Sequence, residues 1–204
     1  MTLASVKPLR VLIGGEYSGI GRDAFIAAGH EAMSADLLPT ERPGPHYQGD
    51  LFDVIDFPWD LAIFHPECTH MSVSGARHFA AKRMDGRQQA AVAFVMRLVR
   101  RSEHIPRVAI ENPVSILSSV WRKPDCIVQP WEHGHGETKA LCWWLKGLPP
   151  LKATNVVEGR TPRVHHMSPG PDRWKERSRS YPGVMAAAAQ QWSNVNASWR
   201  KTLG

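Results

Sequence analysis

Cysteine is scarce in this 204-residue chain, and its three thiols, Cys68, Cys126 and Cys142, are too few and too scattered for a disulfide framework. A reduced, cytoplasmic protein is the expectation, in which a thiol matters for its reactivity rather than for cross-linking. No run of eighteen apolar residues occurs, so no membrane partner or span is expected. The opening MTLASVKPLRVLIGG runs straight into an apolar segment and lacks a secretory cleavage pattern. Internal repeats and long low-complexity linkers are also missing, so residues 1–204 read as one domain.

What is present is ordinary globular material: 43% hydrophobic and 22% charged residues, enough to bury a core. The net charge of +6 leans towards polyanionic partners such as DNA, RNA or nucleotides. Basic residues gather in the last quarter, at Arg160, Arg163, Arg173, Lys175, Arg177, Arg179, Arg200 and Lys201. That cluster reads either as a phosphate-facing surface or as a solvated tail.

Short apolar runs alternate with amphipathic segments over the first half. Arg10–Gly14, Glu31–Ala35, Trp59–Phe64 and Arg107–Ile110 read as strands, the last stopped by Glu111-Asn112-Pro113. Arg22–Ala28 reads as a helix closed by Gly29, and Asp85–Arg101 as the best helix in the chain. This alternation predicts an α/β doubly wound sheet. In the second half Ala140–Leu145 reads as a strand, Gly159–Ser180 as basic loop and Val184–Trp192 as a helix.

Three places carry chemistry. Gly14, Gly15, Gly19 and Gly21 follow the first strand without forming a clean G-x-G-x-x-G, so they mark a ligand loop or merely a strand-to-helix turn. Asp36 and Asp50, at later strand ends, are placed to bond a ribose and an adenine edge, as a nucleoside cofactor requires. Cys68 follows the strand WDLAIF within His65-Pro66-Glu67-Cys68-Thr69-His70, at the sheet edge where such folds bind ligands. His65 or His70 could assist its ionisation, while Glu67 would oppose it. The small, polar Met71–Gly75 loop, with Ser72 and Ser74, is suited to close over a base. Glu111 ends the next strand. A thiolate with a neighbouring acid is what addition to C6 of a pyrimidine requires, the acid engaging N3 and leaving C5 nucleophilic.

The ordered series Tyr17-Ser18-Gly19-Ile20-Gly21, Asp36, Asp50, Pro66-Glu67-Cys68 and Glu111-Asn112-Pro113 resembles the motifs of DNA cytosine-5 methyltransferases. The stretches Cys68–Gly75, Ile110–Pro113, Trp121–Trp131, Trp144–Pro149 and Pro169–Gln191 are similar to those of short phage and prophage proteins of this kind. The resemblance implies a Rossmann-like sheet of the S-adenosylmethionine-dependent methyltransferase type. It also implies transfer of a one-carbon group from S-adenosylmethionine to C5 of cytosine in DNA through a Cys68 adduct. On that basis Tyr17, Ser18, Gly19 and Ile20 hold the methionine part of the cofactor, Asp36 its ribose and Asp50 its adenine. Glu111 engages N3, Asn112 braces the Cys68 loop, and Lys139 loosely corresponds to the family's arginine motif. Arg177 and Arg179 are expected on substrate phosphates.

The chain departs from the family in having Glu67 where a proline precedes the cysteine, and in leaving little room for a target-recognition domain. A protein partner supplying recognition, a free pyrimidine nucleotide as substrate, and a non-catalytic nucleotide-, DNA- or host-protein-binding role are the alternatives. His65-Pro66-Glu67 also satisfies H-x-E of the zinc deaminases, but their P-C-x-x-C is absent and no metal is expected. His133, His135, His165 and His166 read as loop residues.

Overall fold

The strand-length apolar runs assemble as neighbours. A computed structural model describes residues 7–193, so Arg200 and Lys201 of the basic cluster lie outside the described residues. The strands are β1 (Arg10–Gly14), β2 (Glu31–Asp36), β3 (His46–Gln48), β4 (Leu61–Phe64), β5 (Val108–Pro113), β6 (Cys126–Val128) and β7 (Leu141–Lys146). They form one seven-stranded sheet in the order β3-β2-β1-β4-β5-β7-β6. β1 to β5 pair in parallel, whereas β7 runs antiparallel to both β5 and β6. This is a doubly wound, Rossmann-like α/β sheet in which β7 is inserted antiparallel between β5 and β6.

Burial on both faces explains the continuous apolar strands. Val11 and Ile13 of β1, Ile63 of β4 and Trp143 of β7 face helices α1 (Ile20–Ala27) and α7 (Pro182–Ser193), contributing with Phe25, Met185 and Trp192 to one core. Leu12, Phe64, Ile110 and Trp144 face the other way, towards Val95 and Leu98 of α3 (Arg87–Arg101). Adjacent Trp143 and Trp144 therefore belong to opposite cores, as strand alternation demands. Shorter helices are α2 (Phe79–Met84), α4 (Leu117–Val120), α5 (Arg163–His166) and α6 (Arg173–Ser178). No described helix is long and apolar enough to cross a membrane.

Several boundaries differ from the sequence reading. α1 begins at Ile20 rather than Arg22, because the buried Glu16 carboxylate accepts from the N–H groups of Gly21 (3.1 Å) and Arg22 (3.4 Å). β5 continues through Glu111-Asn112-Pro113 because β7 supplies pairing partners as far as Leu141 opposite Pro113. A proline that ends a strand forfeits little of the ladder. The basic 159–180 stretch is not all loop: it contains α5 and α6, and α6 is held by tertiary bonds described below.

Strand order reverses between β1 and β4, and ligands of doubly wound sheets bind outside the carboxyl ends of the strands at such a reversal. The glycine loop after β1 and the Cys68 loop after β4 flank that point. Gly15 is built for this close approach, with φ at +72°; a Cβ there would lie 2.5 Å from the His65 carbonyl oxygen.

Candidate active site

The chemistry-bearing residues of β4 and β5 converge because the two strands end level. Phe64 pairs with Ile110, so His65 and Glu111 emerge side by side. His65 Nδ1 lies 3.1 Å from Glu111 Oε2, and both side chains are largely buried. The His65 ring stands edge-on to Trp143, with centroids 6.1 Å apart. Glu111 Oε1, His65 Nε2 and Trp143 Nε1 are buried without a protein hydrogen-bond partner. These residues line a cavity of about 20 Å³ with Lys139, Tyr181 and the Ser178–Ser180 segment. Such a volume suits a water molecule and is too small for a pyrimidine ring.

The Cys68 loop is tied down on several sides. Asn112 Nδ2 donates to the Pro66 carbonyl at 3.0 Å, beneath the loop. The N–H groups of Met71 and Ser72 donate to the Cys68 carbonyl, closing a turn. Ser72 forms a β-bridge with Ser115, and Ile116 N donates to Met71 O, joining this loop to the one after β5. The buried Lys82 ammonium donates to Thr69 O, and Gln88 Nε2 to His70 O, from the helical side. The backbone around Cys68 is thus fixed by five different partners, which is the rigidity a nucleophile needs.

Burial pushes the Cys68 thiol above the ordinary thiol range, and the Glu111 carboxylate pushes it the same way. Lys139 opposes them, Glu67 adds to the upward shift, and Arg177 opposes it. Glu67 is exposed and ranks behind both burial and Glu111, so its place beside the thiol matters less than the sequence suggests. His65 faces Glu111 rather than standing as a base for the thiol.

Cys68 should therefore react slowly with iodoacetamide near pH 8 relative to free cysteine. Only thiolate reacts, and a raised pKa means that the thiolate fraction keeps climbing roughly tenfold per pH unit beyond the ordinary thiol range. Cys142 is buried, with its pKa pushed up to about 11 by burial and by Glu111, and should stay unlabelled in the folded chain. Peptide mapping by mass spectrometry across pH 7–10 checks both expectations. Rapid Cys68 labelling at pH 7 would contradict them.

The expected cofactor residues are placed around β1 and β2. Tyr17 and Ser18 commit their side chains to protein: Tyr17 OH donates to Lys175 O at 2.7 Å, and Ser18 Oγ to Glu16 Oε1. Gly19, at φ +73°, and Ile20 open α1. Asp36 ends β2 half-buried, its pKa raised by burial, while Oδ1 accepts from Leu38 N at 3.0 Å. Asp50 caps the turn Leu51–Asp53, accepting from Phe52 N at 2.9 Å. The strand-end acceptor Asp36 fits the ribose of a nucleoside cofactor, whereas the space beside Gly15 is filled by the His65 carbonyl. The α1 N-terminal amides are already taken by Glu16, so they do not bind its carboxylate.

The expected substrate residues separate. Ser72 and Ser74 share a hydroxyl contact of 2.9 Å, and Ser74 lines a cleft of about 340 Å³ with Val73, Ala76, Arg77, Arg173 and Arg177. Arg179 turns elsewhere, pairing with Glu41 at 2.7 Å and with Glu176. Lys139 Nζ donates to the Arg177 carbonyl at 2.8 Å, and with the Tyr17 bond to Lys175 this pins α6 over the site. Arg77 and the His65–Glu111 pair escaped the sequence reading, which had Arg173 only as a member of the basic cluster. Aligning the ends of LAIF and VAI would have exposed the pair, because the next residues in a parallel ladder must be neighbours.

Among the described residues no group of three or more His, Cys, Asp or Glu could hold a metal ion. His133 Nδ1 contacts Thr154 Oγ1, and His135 Nε2 accepts from Gly183 N, while nothing is described of the His165 side chain.

No protein-family model and no curated protein matches the chain. Among solved structures, the crystal structure of the S. pombe Dnmt2 methyltransferase is similar over 77% of this chain and 53% of that one, at 15% identity and a TM-score of 0.40. The chain therefore spans about half the length of that protein. The likeness is distant, and the description of the fold rests on the strand order and directions above.

Proposed function

We propose that this chain is an S-adenosylmethionine-dependent enzyme that modifies C5 of a pyrimidine, with cytosine in DNA as the favoured substrate. The observation that carries the reading is the level ending of β4 and β5. It sets Glu111 beside the Cys68 loop while Asn112, the next residue along β5, grips that loop through Pro66 O. In this reading the Cys68 sulfur adds to C6 of the base. Glu111 holds a proton at N3 through the oxygen left unpartnered by His65, and the enamine so formed makes C5 nucleophilic. Once C5 has taken the methyl group that a bound cofactor would supply, loss of the C5 proton to water and departure of the Cys68 sulfur would restore the aromatic ring.

Asp36, at the end of β2, is suited to hold the ribose of the cofactor, which when bound would supply an electrophilic methyl group. Burial that holds Cys68 as a thiol favours a second reading, in which the chain binds a nucleotide without turnover. Incubation with methyl-labelled adenosylmethionine and, separately, duplex DNA, single-stranded DNA and dCMP distinguishes them. Label at C5 of cytosine in DNA is the expected result; label in dCMP alone would move the substrate to the free nucleotide. Absence of label from all three would overturn the catalytic reading.

A further inference from the structure

The cleft between the Ser74–Arg77 segment and α6 has an unusual charge balance. Three guanidinium groups, from Arg77, Arg173 and Arg177, line it, and no carboxylate does. None of the three forms an ion pair among the described residues, whereas Arg22, Arg87, Arg101, Arg122 and Arg179 each face an Asp or Glu. Arg173 Nε is buried without a partner, and Arg77 Nε is bonded only to the ring of His78. Gathering like charges without counter-charge costs stability, and an anion that accepts several N–H bonds offsets that cost. Arginine forks are matched in geometry to phosphate oxygens. Ser74 places a hydroxyl at the same wall.

The cleft is also tied to the thiol. Arg177 exerts its charge on Cys68, and its carbonyl is fixed by Lys139, which acts on the same thiol. At about 340 Å³ the cleft is within the size range of small-molecule pockets, more than a bare oxyanion needs, and it opens on the Ser74 side of the loop that follows Cys68.

We propose that Arg77, Arg173, Arg177 and Ser74 form a phosphate subsite that takes the phosphate of a nucleotide, free or within a polynucleotide. The identification of the ligand as a nucleotide rests on the pyrimidine-modifying role of Cys68; the anion site itself is measured independently of it. Calorimetric titration of the full chain with inorganic phosphate, deoxycytidine, dCMP and a cytosine-containing single-stranded oligonucleotide tests the assignment. A phosphorylated ligand should bind at least about tenfold more tightly than deoxycytidine. The R77Q/R173Q double variant should lose that preference, and the salt dependence of oligonucleotide binding should weaken by about two phosphate contacts. A gain already complete with dCMP identifies the free nucleotide as the source, and a gain seen only with the oligonucleotide identifies the polymer.

R77Q alone, at an exposed position, covers the case in which the double variant fails to fold, and should lose part of the preference. Equal binding of phosphorylated and unphosphorylated ligands by the unaltered chain would overturn the subsite, as would full retention of the preference by the folded variants. Methyl transfer assayed in the same preparations separates the two claims. Transfer without phosphate preference removes the subsite alone, and phosphate preference without transfer removes the enzymatic role while leaving the subsite.

Discussion

Cys68→Ala is expected to abolish methyl incorporation, lowering the rate on the order of a thousandfold or more, because no other described group is placed to add to C6. Cys68 is only partly exposed and its loop is held by backbone bonds to Asn112, Lys82 and Gln88, none of which needs the sulfur. The variant should therefore keep its fold and its melting temperature within a few degrees. Glu111→Gln preserves the shape of the side chain but removes the acid. The expected loss is about a hundredfold to ten-thousandfold, the range for a positioned acid–base group. Circular dichroism beside the radiolabel assay separates loss of chemistry from loss of structure. Full activity in Cys68→Ala would end the mechanism.

The largest effect on stability is expected at Trp143. Its side chain is buried to 1% exposure, packs against Trp192 with centroids 5.3 Å apart, and backs the His65 ring. Truncation to alanine removes one of the two buried indoles of the core between the sheet and α7 and should cost about 3–5 kcal/mol. For a chain of this size that corresponds to a drop of roughly 6–20 °C in melting temperature. Trp174, half exposed beside Tyr17, is the contrasting position; its truncation should move the transition little, within about 1 kcal/mol. A Trp143→Ala protein that melts with the unaltered chain would contradict the packing described for this face.

The contrast between these tryptophans shows what the sequence made legible. β1, β2, β4, β5 and β7 were readable because burial on two faces leaves unbroken apolar runs, and α3 because its apolar positions repeat at helical spacing. β3 (His-Tyr-Gln) and β6 (Cys-Ile-Val) were not: three residues at the sheet edges, one strand polar and the other half exposed, carry no periodicity. α6 was hidden because its sequence, Arg-Trp-Lys-Glu-Arg-Ser, makes no apolar stripe. It is held by Tyr17 and Lys139, which lie far away in the chain.

At the site, motif order brought Cys68, Glu111 and Asn112 into one argument; the ladder register sets Glu111 beside His65, and Asn112 bonds the loop that carries Cys68. Residue type alone could not tell Arg177, which lines an open cationic cleft, from Arg179, which is spent on Glu41 and Glu176. Nor could it reveal that Glu16 takes the helix amides otherwise open to an anionic ligand.

The central claim is that Cys68 bonds covalently to a pyrimidine while Glu111 holds its N3. DNA carrying 5-fluorocytosine tests it most directly, because fluorine at C5 cannot leave as a proton does and the sulfur stays attached once the methyl group has been transferred. With adenosylmethionine present, mass spectrometry of the digested protein should find the nucleotide on the Cys68 peptide, and the Cys68→Ala chain should give none. A full-length protein that binds the fluorinated DNA and adenosylmethionine yet forms no adduct at Cys68 would contradict the account.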